Sequence, residues 1–114
     1  MNKRVTIITC VFAFISPLSH AINFNDTCVD NGGFFFTDVT LSDISANTAQ
    51  QDTGVILKST TGQEWRIADE FGNSDIFREQ IRVARMAQRL GLEVNICGGR
   101  FFVPRRVWAI EVRR

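Results

Sequence analysis

The chain contains no tyrosine, and its one histidine, His20, sits beside an apolar N-terminal run. Imidazole is the side chain most often recruited for general acid-base work and for activating nucleophiles, so its scarcity argues against an enzyme. Carboxylates are present, but no spacing among them singles out the pair that a glycosidase requires. Metal is disfavoured on similar grounds. Two of the three cysteines, Cys28 and Cys97, stand far apart without a neighbouring histidine, whereas thiolate and imidazole ligands come clustered at short spacing. No cofactor is expected.

Long apolar runs are scarce too. The run Val5 to Ile15 is too short to cross roughly 30 Å of hydrocarbon. It follows Lys3 and Arg4 and precedes Pro17 and a small-x-small ending, Ser19-His20-Ala21. That three-part pattern predicts a signal peptide over residues 1–21, hence export to the periplasm and then secretion. Cys10 would leave with it, and residues 22–114 would form one small domain. In an oxidising compartment Cys28 and Cys97 are expected to pair, closing a long loop worth about 4 kcal/mol on the chain-entropy model.

Charge is distributed unevenly. Ile22 to Asp75 carries nine acidic and two basic residues, and Ile76 to Arg114 carries nine arginines and three glutamates. Such halves either neutralise each other, within a fold or across a subunit contact, or meet an anionic partner.

Phe34 to Leu41 is aromatic and β-branched and reads as one strand after the Asn31-Gly32-Gly33 turn. Ser42 to Thr53 is polar and reads as an exposed loop or ragged edge strand. Gly54 to Ser59 and Gln63 to Ala68 flank Thr60-Thr61-Gly62 as a tight hairpin, with Trp65 and Ile67 sharing the apolar face. A helix is predicted from Ile76 to Leu90, capped by Ser74 or Asp75 and stopped by Gly91. Phe77, Ile81, Ala84 and Ala87 form its apolar stripe, widened by Ile76, Val83 and Leu90. Its opposite face carries Arg78, Arg82, Arg85 and Arg89 in one row, with only Glu79 close enough to relieve it. The row is either a solvated face or a surface for an anionic partner. Leu92 to Cys97 alternates as a strand, Gly98-Gly99-Arg100 is a loop, and Phe101 to Arg106 is a strand edge broken by Pro104. Val107 to Val112 alternates again, with Trp108, Ile110 and Val112 on one side.

In its order of parts the chain resembles the B subunits of bacterial toxins that carry one enzymatic A subunit on a ring of five B subunits, the cholera and heat-labile enterotoxin, Shiga and pertussis-like group. The shared parts are a signal peptide, the early cysteine of Asn25-Asp26-Thr27-Cys28, the strand pair from Val55 to Ala68, one helix, and the junction from Gly91 to Cys97. The resemblance implies an α+β, mainly β fold: an OB-type five- or six-stranded barrel with one long amphipathic helix, assembled as a homopentamer. The Arg78, Arg82, Arg85, Arg89 row would face the central pore or the neighbouring helix. It also implies a host cell-surface glycan, on glycolipid or glycoprotein, and a toxin A subunit as partners.

Asp30 stands where the cholera type has an acidic residue, two past the first cysteine. Asp30 and Asn31 are therefore one candidate edge of a glycan site, and Gly98, Gly99 and Arg100 the other. Arg100 suits a sialic acid carboxylate. The cholera type has a tryptophan just after its second cysteine, and this chain has Gly98-Gly99 instead, so the aromatic platform must come from elsewhere. Trp65 and Trp108 are the candidates, although both lie on apolar strand faces where tryptophans are generally buried. The competing reading is a small periplasmic or secreted interaction or inhibitor protein. An OB-type nucleic-acid binder is disfavoured by export and by the near-neutral total charge.

Overall fold

A computed structural model of the chain describes residues 23–47, 54–68 and 74–113. The expected signal peptide over residues 1–21, Cys10 included, and the end of the polar stretch, residues 48–53, lie outside the described residues. The elements run α1 (Phe24–Asp30), β1 (Phe34–Val39), β2 (Leu41–Asn47), β3 (Gly54–Ser59), β4 (Glu64–Ile67), α2 (Ser74–Leu90), β5 (Val94–Gly98) and β6 (Arg105–Val112).

The strands form one six-stranded sheet in the order β1-β5-β6-β4-β3-β2, antiparallel except where β4 meets β6. β1 and β2 stand at opposite ends of that order, yet Thr40 alone separates them in the chain. One residue advances the chain by only about 3.8 Å. The sheet must therefore curl until its two ends approach, which makes it a barrel.

The bend falls at Asp38, whose φ of 58° is uncommon for a residue with a Cβ, and the β1–β5 register breaks between Phe36 and Val39. Asn95 holds it. Its Oδ1 accepts from the Asp38 amide at 3.2 Å and from Thr37 Oγ1 at 3.0 Å, and its Nδ2 donates to Glu111 Oε2 at 2.8 Å. Arg113 closes on the Asp38 carboxylate from the far end of β6. What the sequence predicts as one strand from Phe34 to Leu41 is thus two strands with a sharp turn between them. The polar stretch after it, predicted as a loop or ragged edge, pairs with β3 from Leu41 to Asn47. Leu41 and Ile44 face the core while Asp43 and Ser45 face water, because a bulge between Leu41 and Asp43 sets residues three apart on one face, so no simple alternation marks the strand.

The barrel interior holds Val39, Leu41, Val55, Leu57, Trp65, Ile67, Val94, Ile96 and Val107. The hairpin β3–β4 is as predicted, with Leu57 opposite Trp65 and Val55 opposite Ile67. α2 lies against β2, β4 and β6. Ala84 and Ala87 are fully buried beneath it, and Phe77 and Ile81 pack at the core's margin. Two small side chains at the centre of the stripe let the helix approach the strands closely. Gln80 Nε2 and Gln88 Nε2 donate to the Trp108 and Ser42 carbonyls at 3.2 and 3.3 Å, tying the helix to both ends of its footprint. Ile76 and Leu90, predicted to widen the stripe, are instead exposed. At 100° per residue Leu90 stands about 120° around the helix from Ala84, outside the buried arc. The helix ends at Gly91 (φ 68°), the left-handed stop read from the sequence.

Candidate functional site

The N-terminal residues form a helix that the strand-and-turn reading did not include. Asn23 Oδ1 accepts from the Asp26 amide at 3.2 Å, an N-cap with an acid in the first turn. At the other end Asn31 Nδ2 donates to the Thr27 carbonyl at 2.7 Å, and the Gly32 and Gly33 amides donate to the carbonyls of Val29 and Cys28. α1 is only seven residues long. It is fastened to β5 by the Cys28–Cys97 disulfide, whose Cα atoms lie 5.6 Å apart. A Cβ on Gly33 would sit 2.7 Å from Cys97 Sγ and 2.9 Å from Cys28 Sγ, so only glycine lets the chain leave α1 past the bridge.

The staple sets the Asn31-Gly32 turn beside Arg100, where a Cβ on Gly32 would stand 3.9 Å from Arg100 Cδ and Nη1. The guanidinium carbons of Arg100 and Arg105 lie 5.1 and 4.2 Å from the Phe34 ring centroid, and that of Arg106 lies 4.3 Å from Phe102. Residues 99–104 leave the barrel as a loop closed at its base by the start of β6. The Gly99 amide donates to the Arg106 carbonyl at 2.8 Å, and Arg105 Nη1 donates to the Gly99 carbonyl at 3.0 Å.

Two depressions lie at this edge, one lined by Arg100 and the other by Asn31. The first, about 460 Å³, lies between the loop from Arg100 to Arg105 and the β3–β4 turn at Gly62, Gln63 and Glu64. The second, about 470 Å³, is lined by Phe24, Thr27, Asn31, the disulfide, Trp108 and Ala109. An aromatic wall with a few polar groups is the composition that holds a sugar. Among the described residues no three His, Cys, Asp or Glu side chains gather to hold a metal ion.

The six candidate glycan residues separate by exposure. Asp30, Asn31 and Arg100 are exposed, and the Asn31-Gly32 turn stands beside Arg100, while Gly98, Gly99 and Trp65 are buried. Trp65 is 1% exposed and meets Phe36 edge-on at 5.3 Å, so packing engages both its faces, and only its margin borders the first depression. Trp108 departs from its predicted face. The β5–β6 register slips between Cys97 and Gly98, so Trp108 is the extra residue of a bulge. Val107, not Trp108, joins Ile110 and Val112 toward the core, and the Trp108 indole lies against Gly99, where a Cβ would come within 2.7 Å of Nε1. Tryptophan thus reaches this edge from β6 rather than from the residues after Cys97. Phe34 and Arg105, which the sequence places only in a strand and at a strand edge, also belong to this edge. The signal for them in the sequence is the clustering of three arginines around two phenylalanines between Arg100 and Arg106.

On α2 the row Arg78, Arg82, Arg85, Arg89 is exposed, as its spacing predicts. Two carboxylates relieve it rather than one: Arg78 pairs with Asp75 at 3.3 Å and Arg82 with Glu79 at 3.1 Å. The helix begins at Ser74, so Asp75, a cap candidate alongside Ser74 in the sequence, lies in its first turn and reaches Arg78 three residues on. Among the described residues Arg85 and Arg89 form no ion pair. Met86 and the exposed Leu90 lie beside them along a shallow groove of about 550 Å³.

A family model described as the type II heat-labile enterotoxin B subunit (LT-IIB) matches residues 2–114. The B chain of Escherichia coli heat-labile enterotoxin IIB is 26% identical over 116 residues, covering 97% of this chain and 95% of that one. Among solved structures, the GM1-bound form of the ECX AB5 holotoxin matches with TM-score 0.70 and 15% identity over 82% of this chain and 97% of that one. The cholera toxin-like B subunit from Citrobacter freundii matches at 0.69 and 15%, over 82% and 99%. Human heat-labile enterotoxin in complex with a blood group A antigen analog matches at 0.69 and 11%, over 82% and 98%. At these identities the likeness speaks for the fold, the OB-type barrel with one long helix.

Proposed function

The chain belongs to the type II heat-labile enterotoxin B-subunit family, and from that premise we propose that it binds a host cell-surface glycan and forms a homopentamer that carries an enzymatic A subunit. As a B subunit it is the non-catalytic component, and the family is secreted. The reading includes residues 1–21 as the signal peptide and 22–114 as the B-subunit domain. Relatives of the same fold occur as a GM1-bound holotoxin and with a blood group A antigen analog, which supports a glycan as the ligand class.

The observation that carries the site is the approach of Arg100 to the Asn31-Gly32 turn across the disulfide. In this reading Arg100 and Asp30 supply the charged contacts, and Asn31 offers Oδ1, its Nδ2 being engaged with Thr27. Gly98 and Gly99 shape the loop from within, and Trp65 supports the floor. Phe34 and Trp108 contribute the aromatic surface. A glycan array with the oxidised protein tests this. Removing a charge-assisted contact costs about 1.5–3 kcal/mol, so Arg100→Ala is expected to weaken the best glycan roughly tenfold to a hundredfold. Unchanged binding would remove Arg100 from the site.

Arg78, Arg82, Arg85 and Arg89, with Met86 and Leu90, form the assembly face of α2 in this reading. Arg85 and Arg89 would meet acidic groups of a neighbouring subunit or of the A subunit, and Met86 and Leu90 would be covered by a neighbour. Reversing Arg82→Glu with Arg85→Glu is expected to lower pentamer yield or A-subunit capture severalfold, since like charges cost several kcal/mol at an interface. Native mass measurement checks it. A wild-type monomer would turn the reading toward a small secreted interaction protein.

A further inference from the structure

We propose that the tip Phe101-Phe102-Val103 of the β5–β6 loop is a membrane-contact device, seating in the interface of a bilayer that carries anionic phospholipid headgroups. The three consecutive apolar side chains are 83%, 52% and 97% exposed. A contiguous exposed apolar patch marks a contact surface on a soluble protein. The three residues stand in the turn of a loop, one flank of which lines the first depression, and their exposed surface suits a deformable partner into which it can be pressed.

Charge selects the kind of interface. From Val94 to Ile110 the chain has three arginines, Arg100, Arg105 and Arg106, and no carboxylate. Their guanidiniums stack on Phe34 and on Phe102 of the tip itself, and Arg100, the exposed one of the three, can meet headgroup phosphates while the tip enters the acyl boundary. Apolar side chains flanked by cations are the arrangement that binds anionic bilayer surfaces. Glu64 is the one carboxylate in the lining of the depression that the tip residues share, against Arg100 and Arg105 in the same lining. The loop is also tied at its base by the bonds between Gly99 and residues 105 and 106, so little ordering accompanies contact.

The inference does not depend on the glycan reading, because it requires no sugar. Sedimentation of the oxidised protein with vesicles lacking glycolipid tests it. The wild type is expected to bind phosphatidylcholine vesicles containing phosphatidylserine better than phosphatidylcholine alone. Phe101→Ser with Val103→Ser is expected to weaken that binding about tenfold or more. Both side chains are largely exposed, and an unchanged circular dichroism spectrum verifies the fold of the variant. In a second measurement Phe101→Trp is expected to shift its emission to shorter wavelength on adding the anionic vesicles. Absent wild-type binding, equal binding by the serine variant, or an unmoved emission would overturn the proposal. So would a loss of oligomer mass in the serine variant, which would make the tip a contact between copies of the chain.

Discussion

Replacing Cys28→Ser together with Cys97→Ser is expected to lower unfolding free energy by about 4 kcal/mol, seen as a lower midpoint in urea. Small domains have only about 5–15 kcal/mol in total, so the variant would lose roughly a quarter to four-fifths of its stability. Two losses combine. The unbridged chain regains the entropy of a loop between residues 69 positions apart. α1 is also too short to persist alone, since isolated helices below about 12 residues are marginal in water. Its capping by Asn23 and Asn31 and its packing on β1 then have to hold it unaided. With α1 loosened, the Asn31-Gly32 turn drifts from Arg100, and glycan binding should fall at temperatures where the barrel survives. A change below about 1 kcal/mol would mean that packing alone holds α1 and that the bridge is incidental.

The elements legible in the sequence are those with one strong periodicity and clear punctuation. α2 has a stripe, an opposed arginine row and Gly91, and it lies where those features put it apart from two residues at its start. β3 and β4 have clean alternation about a polar-glycine turn. Three features broke a period instead. The bend at Asp38 split an aromatic run that read as one strand, because nothing local distinguishes an aspartate that bends the chain from one that faces water. The bulge at Trp108 reversed the alternation in β6, so the tryptophan left the face its position implied. α1 was missed because Asn, Asp, Thr and Cys are weak helix formers, although Asn23 with Asp26 and the glycine pair after Asn31 carry a cap and a stop.

The site followed the same division. A staple between two turns was legible from Cys28 and Cys97 with their neighbouring glycines, and the structure does set the Asn31-Gly32 turn beside Arg100. Which aromatics border that edge was not legible, because it depends on the three-dimensional course of β1 and β6. Phe34 carries two guanidiniums there by virtue of its place at the start of β1, opposite Gly98.

Trp65 is where core and site compete for one residue, and substitution separates them. Trp65→Ala is expected to cost about 3–5 kcal/mol, the range for deleting a large buried aromatic. The indole is fully buried opposite Leu57, meets Phe36 edge-on, and shares the interior with Ile67 and Val107. The barrel closes around it, because β4 pairs with β6 through only two positions, one of them Trp65 itself opposite Arg105. A void there weakens the seam as well as the core. Trp65→Phe keeps part of the edge contact with Phe36 and should cost less. The discriminating measurement is glycan affinity of Trp65→Phe well below its melting temperature. A core residue leaves that affinity within about twofold of wild type while the urea midpoint falls, since a uniformly folded site is unchanged. A large loss of affinity at an unchanged midpoint would instead return the indole to the binding surface, reached through the depression that its margin borders.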